Sequence, residues 1–313
     1  MQYSSSSEQD ALFGLAASYL RTEINELGGE WRATFFVGDE PAVLADLYQP
    51  LGSKARFFIA PSMLGESQLI NVYEEGMRVT ELQIRQAIFE VAMGREIASW
   101  GEVRGGFSLG RGQTRLRVGD PTYLTSEDFR TGEFFARFSV DTLDNVSFPR
   151  EGVLGTAEWR GSRAGALNAD SDFDQLLVDA AYAKTWGRHT LLATLRYDTT
   201  ISGVTPPQNI FRFGGFFDLS GLNAHELTGQ NVVRVGASYY RRIADLLLTP
   251  AFAGISVEVG NAWDSRGSIS WDSARVGGSI WAGVDTPIGP IYLAYGVAEG
   301  GADAVYVILG RVF

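Results

Sequence analysis

The chain has 313 residues, a formal charge of -11, no cysteine and only two histidines, His189 and His225. That composition offers no disulfide frame and no thiolate metal site, gives too few histidines for a metal cluster, and argues against nucleic acid as a partner. Glycine is abundant at 37 residues and mean hydropathy is near zero at -0.02, an average that fits an apolar outside combined with a polar inside.

No run approaches the ~18 apolar residues of a membrane helix. The opening "MQYSSSSEQDALFG" lacks a basic segment followed by an apolar one, so no signal peptide is expected and the chain reads as a mature form or a piece of a longer one. Only "MQYSSS" precedes the first loop. That predicts a truncated first strand and a natural chain that continues upstream.

Further along, "MRVTELQIRQAIFEVAMGRE" is rich in helix formers. Leu82 and Ile84 share one parity, whereas Phe89, Val91 and Met93 share the other, which predicts a strand whose phase slips near Gln86. In "EFFARFSVD", Phe134, Ala136, Phe138 and Val140 oppose Phe135, Arg137, Ser139 and Asp141. In "GVLGTAEWRGS", Val153, Gly155, Ala157 and Trp159 oppose Leu154, Thr156, Glu158 and Arg160. "HTLLATLRYDT" places Leu191, Ala193, Leu195 and Tyr197 against Thr190, Thr194 and Arg196. "TPAFAGISVEVGNAW" sets Ala251, Ala253, Ile255, Val257 and Val259 against Phe252, Gly254, Ser256, Glu258 and Gly260. One apolar face and one polar, glycine-tolerant face is the signature of a half-buried strand.

Two sets of turns interleave. "NELGGEW", "PLGSK", "IASWGE", "DNVSFPREG", "TWGRH", "IADLLLTP" and "TPIGP" are short; "SSSSEQD", "GDEP", "YEEGM", "QTRLRVGDPTYLTSEDFRTG", "RAGALNADSD", the stretch from Phe211 to Asn231, "WDSRGSISWDS" and "EGGADA" are more variable. That alternation, with Trp31, Trp100 and Trp186 near short turns and Trp159, Trp263 and Trp271 near long ones, predicts one all-β domain over 1–313. It would be a transmembrane antiparallel barrel of about 16 strands with aromatic girdles. A propeller would show a repeat of ~40–45 residues, and none is found. A sandwich would not need interleaved turns. The bilayer is the first expected partner.

Three motifs carry a resemblance. "DTLDNVSFPREG" (141–152), "GISVEVGNAW" (254–263) and "TPIGPIYLAYG" (286–296) followed by "VYVILGRVF" are similar to segments of the outer-membrane assembly-factor and two-partner-secretion transporter superfamily, the bacterial surface antigen type of barrel. Within it, "FGGFFDLSGL" is more similar to barrels fused behind patatin-like phospholipases, single-chain systems of lipase passenger, periplasmic module and barrel. The resemblance implies a bacterial outer-membrane anchor and translocator, with the passenger and periplasmic module upstream. It also implies the barrel-insertion machinery as a partner, reading the terminal Phe313, and leaves room for a homo-oligomer. A general assembly or secretion pore of the superfamily, or a diffusion porin, is the alternative.

The resemblance further implies that the long loop folds into the lumen. Its tip, apolar-Arg-Gly-aromatic in relatives, corresponds here to Leu219, Ser220, Gly221 and Leu222, so Ser220 stands in place of the arginine. Glu258 stands where relatives carry an inward Asp paired with that arginine. Arg234, diagonal to Glu258 on the next strand, is the expected replacement cation, with Arg212 as its rival.

The residues offer little catalytic chemistry. Gly277-Gly278-Ser279-Ile280-Trp281 lacks the last glycine of a nucleophile elbow. "GFSLGRGQTR" lacks the Gly-Lys-Ser/Thr ending of a phosphate loop, and Asp170, Asp172 and Asp174 lack the Gly and Glu of an EF-hand loop. No enzyme activity, cofactor or metal is expected of the barrel itself.

Overall fold

The computed structural model describes residues 2–6, 12–52, 56–74, 77–118, 127–246, 249–287 and 289–310. The first strands are β1 (Gln2–Ser6), β2 (Leu12–Arg21), β3 (Glu30–Gly38), β4 (Ala42–Leu51), β5 (Phe57–Glu74), β6 (Met77–Ile97), β7 (Gly101–Val118), β8 (Glu127–Asp141) and β9 (Glu151–Ser162). They are followed by β10 (Phe173–Trp186), β11 (His189–Gly203), β12 (Phe211–Phe213), β13 (Leu227–Gly229), β14 (Asn231–Leu246), β15 (Thr249–Trp263), β16 (Arg275–Thr286), β17 (Gly289–Ala298) and β18 (Asp303–Leu309).

Among the described residues, all of these but β12 and β13 pair in sequence order into one closed antiparallel barrel, with β11 followed directly by β14. β1 completes the circle against β18, from Gln2↔Ile308 to Ser6↔Ala304, and pairs with β2 from Gln2↔Gly14 to Ser4↔Leu12. The seam is closed at one end only: β1 covers Leu12–Gly14 of β2, and among the described residues Leu15–Arg21 pair with β3 alone. The expected alternation of faces is present. Ile255, Val257, Phe134, Phe138, Leu191 and Leu195 are exposed, whereas Glu258, Phe135, Leu192 and Thr190 are buried toward the lumen.

Two expectations are corrected. The pairing of β6 with β5 and β7 runs through Gln86 without interruption (Glu66↔Gln86, Gln86↔Gly112), and the irregularity between β6 and β7 lies at Glu81/Leu82. Leu82 and Ile84 are apolar yet inward because they pack, with Ile70, against Ile210 of the lumenal loop. The parity of the apolar residues changes there because the lumen itself is filled. Trp263, expected near an interfacial girdle, is buried and its Nε1 donates to Ser273 Oγ at 2.9 Å; Trp271, by contrast, is 69% exposed.

The terminal Phe313 lies outside the described residues.

Candidate functional site

The segment between β11 and β14 turns inward. At its base, Thr205 N–H and Oγ1 both donate to Gln230 Oε1, at 2.9 and 2.6 Å. β12 and β13 then form a small hairpin inside the barrel, from Phe211↔Gly229 to Phe213↔Leu227. Beyond it the chain tightens into a turn in which Asp218 N–H donates to Gly215 O at 3.0 Å. Phe217 sits in that turn at φ 64°, a conformation a bulky residue adopts only when its surroundings impose it. Its carbonyl is held from the wall by Arg234 Nη1 at 2.9 Å, and its N–H donates to Ser220 Oγ at 3.2 Å.

The tip residues Leu219, Ser220 and Leu222 are fully buried against β15–β18. Ser220 N–H donates to Glu258 Oε2 at 3.1 Å. Gly221 N–H donates to Tyr306 Oη at 2.9 Å, and that hydroxyl donates to Leu222 O at 2.6 Å. Gly221 has φ 106°, and a Cβ there would overlap the backbone of Ala298. The wall yields the space from its own side. A Cβ on Gly277 would lie 2.5 Å from Ser220 O, and one on Gly296 would lie 2.6 Å from Gly221 N. The tip therefore rests on two side-chain-free positions of neighbouring strands.

Charge holds the flank of the tip. Asp218 lies between two wall arginines, 3.1 Å from Arg196 Nη1 and 3.3 Å from Arg234 Nε. Arg234 Nη1 also donates to Thr194 Oγ1 at 2.6 Å. The expected bond between Glu258 and a cation is not what the structure places here. Arg234 is indeed diagonal to Glu258, whose direct register partner is Gly236, and both face a cavity of about 120 Å³. Yet Glu258 binds a backbone N–H and Arg234 binds the loop's carbonyl and carboxylate. The arrangement works without an arginine at position 220 because every residue but proline carries the N–H that Glu258 accepts.

Arg212, the rival cation, points to the opposite wall. It pairs with Glu40 in the β3–β4 turn, and Glu40 Oε1 also accepts from Leu69 N–H at 2.9 Å. Asn209 reaches a third sector, donating to Glu133 Oε1 at 2.9 Å. The loop thus spans the lumen, with its tip on β15–β18 and its hairpin tied to β3–β5.

From the other end, the β8–β9 turn sends Phe148 into the barrel. Phe148 stacks on Phe252 at 4.3 Å and contacts Tyr292 at 4.9 Å. Tyr240 and Tyr292 hydroxyls donate to Pro149 O and Ser147 O. Phe216 of the loop lies 5.9 Å from the same Tyr292 ring, so the two inward segments meet on one aromatic cluster. The remaining lumenal wall is ionic, with Arg160 reaching Glu133, Glu90 and Glu158, and Arg137 pairing with Glu158. No pattern in the sequence marked Phe148, Tyr306, Asp218, Glu40 or Gly296, and Gly277 stood out only in a failed nucleophile-elbow match. The glycine doublets and the "SFP" turn were the available signals.

The candidate catalytic and metal-binding side chains named from the sequence are engaged elsewhere in the structure. Gly277–Trp281 lies within β16. Asp170 bonds Arg130, Asp172 accepts from Ala164 N–H, and Asp174 pairs with Arg163. His189 bonds Tyr239, and His225 lies 3.8 Å from Glu40. Among the described residues no group of His, Asp and Glu side chains is arranged to hold a metal ion.

The sequence model of the Omp85 superfamily domain matches residues 66–308, well over half of the chain. The fold is similar to that of BamA from Haemophilus ducreyi lacking POTRA domains 1-3, with a TM-score of 0.76 at 11% identity over 99% of this chain and 69% of that one. It is also similar to CdiB from Acinetobacter baumannii (TM-score 0.67, 11% identity, 98% of this chain and 58% of that one). CdiB from Escherichia coli gives 0.63 at 11% identity over 98% of this chain and 62% of that one. No curated protein sequence matches the chain.

Proposed function

This chain belongs to the Omp85 superfamily and is a transmembrane barrel of the bacterial outer membrane, and from that premise we propose that it is a polypeptide translocator held shut by its own loop. The observation that carries this reading is the seating of the tip. Ser220 and Gly221 are bonded to Glu258 and Tyr306 on one wall, while Arg212 is bonded to Glu40 on the other. A diffusion porin needs an open lumen, and a segment tied to opposite walls works against it. A translocator needs a closure that leaves without unfolding the barrel, and these bonds can break while every barrel strand stays paired.

The finer reading is an anchor that displays or exports a covalently linked N-terminal passenger of the patatin-like lipase type. Its support is Ser220 at the place of the relatives' arginine, together with the resemblance of "FGGFFDLSGL". A secretion or assembly pore of the same superfamily fits the barrel equally. The gene sequence immediately upstream separates them, since the passenger reading requires a lipase module and a periplasmic module encoded there.

The plug is tested in planar bilayers. The whole chain is expected to give small or flickering currents, and removal of residues 213–228 is expected to give a steady, larger conductance. Unchanged current after that deletion would overturn the plugged-translocator reading.

A further inference from the structure

The outward face of β4–β8 carries a groove that the lumenal loop does not explain. Val43, Gly65, Ala87, Arg111 and Arg130 are successive register partners around the barrel, and all point outward. Gly65 and Ala87 make a low floor, and a Cβ added to Gly65 would meet nothing within 4 Å. Val43 forms one wall and Arg111 the other, while Arg85 stands above Ala87 on the same strand face. This groove has a volume of about 1090 Å³. A second cavity of about 390 Å³ adjoins it, lined by Met63, Phe89, Leu109 and Leu167, and Arg111 and Arg130 line both.

Depth on the strands is set by bilayer thickness. A spanning strand uses about 9–11 residues, and counting about eleven up from Gly101 on β7 or Ile97 on β6 reaches Arg111 or Ala87. The cationic row therefore stands at the outer edge of the hydrocarbon. Met63, Phe89 and Leu109 form the row directly below it, with Met63 60% exposed. An arginine on the lipid face is costly at the midplane and tolerated near the interface. Arg111 and Arg130 are direct cross-strand partners, and like charges so placed repel.

Acidic neighbours answer only part of that charge. Asp170 bonds Arg130 at 3.0 Å, and the outward Asp128 faces Gln113. Arg115 turns to Gln113 Oε1 at 3.0 Å. Arg85 and Arg111 form no ion pair with any described residue. Two cations above a small-residue floor, over an apolar trough, fit an amphiphile with an anionic head and acyl chains. Guanidinium groups favour phosphate through paired N–H donors.

We propose that this groove is a binding site for a phosphorylated glycolipid of the outer leaflet, with Arg85 and Arg111 on its phosphates and Met63, Phe89 and Leu109 along its acyl chains.

The test uses the whole purified chain in detergent, with bound lipid read by native mass spectrometry. The probes are bisphosphorylated lipid A, monophosphoryl lipid A and phosphatidylglycerol. Bisphosphorylated lipid A is expected to bind at least tenfold more tightly than phosphatidylglycerol, with the monophosphoryl form between them. The R85A/R111A variant is expected to lose at least tenfold in affinity for lipid A. Gly65→Trp fills the floor without touching a cation and is expected to lose a similar factor, while both variants keep the wild-type thermal transition. Equal binding by phosphatidylglycerol, or wild-type lipid A affinity in either variant, overturns the proposal. Should R85A/R111A fail to fold, Gly65→Trp alone decides it, because its side chain enters open space.

Discussion

The N–H of Ser220 donates to Oε2 of Glu258 at 3.1 Å, so the plug is latched through a backbone group that every residue but proline carries. Glu258 is 1% exposed, and removing its acceptor would leave that N–H buried and unpaired at a cost of about 1–3 kcal/mol. Glu258→Ala is therefore expected to raise the open-to-closed ratio by about 5–150-fold in single-channel recordings. Glu258→Gln keeps an acceptor oxygen and is expected to stay near wild type. Equal opening in both variants would show that charge, not the hydrogen bond, holds the tip.

Position 220 itself is a second test. Ser220 is 0% exposed, and its Oγ accepts from Phe217 N–H at 3.2 Å. Ser220→Ala should weaken closure by about 1 kcal/mol, the usual value of one hydrogen bond. Ser220→Arg must fit a guanidinium beside Gly277 and Gly296, where even a Cβ is too close to the tip. It is expected to unseat the tip and raise conductance, and normal closure in this variant would show that the wall can give way.

The wall glycines give the complementary experiment. Gly277→Val and Gly296→Val put branched carbons against Ser220 O and Gly221 N. Overpacking of this kind costs about 1–3 kcal/mol. Protease cleavage within the loop should become easier, with the barrel's thermal transition changed little. A lowered transition with an uncut loop would place the damage in the strands instead.

Much of this fold was legible because lipid imposes it. Ile255, Val257 and Glu258 alternate as a half-buried strand must, and interleaved turns follow from antiparallel order. What failed was legibility where the lumen is filled. Leu82 and Ile84 are apolar and inward, which period-two reading converts into a false phase slip. Glu258 was placed on the correct face, but its partner was not, because a backbone N–H leaves no trace in residue identity. Arg212 and Glu40 lie 172 residues apart in the sequence, and no local pattern connects them.

That distant pair supplies a further prediction. Arg212–Glu40 and Ser220–Glu258 hold opposite ends of one segment, so they should act together. Arg212→Ala alone is expected to loosen the hairpin while the tip stays seated, giving brief flickers. The Arg212→Ala/Glu258→Ala double variant is expected to open more than the two single effects combined, since residues in one bonded network are coupled by about 0.5–3 kcal/mol. Additive behaviour would mean that the two ends move independently.

Phe148 closes the barrel from the short-turn side, and its effect should be separable from the loop's. It is 3% exposed and stacks on Phe252 at 4.3 Å. Burying an aromatic ring to this degree makes Phe→Ala cost about 3–5 kcal/mol. Because Phe148 and Phe216 share contacts with Tyr292, part of that cost should appear as a looser loop. Phe148→Ala is therefore expected to lower the thermal transition and to raise conductance further in a barrel already lacking residues 213–228. No added conductance in the loop-deleted barrel would show that the turn packs the wall without obstructing the lumen.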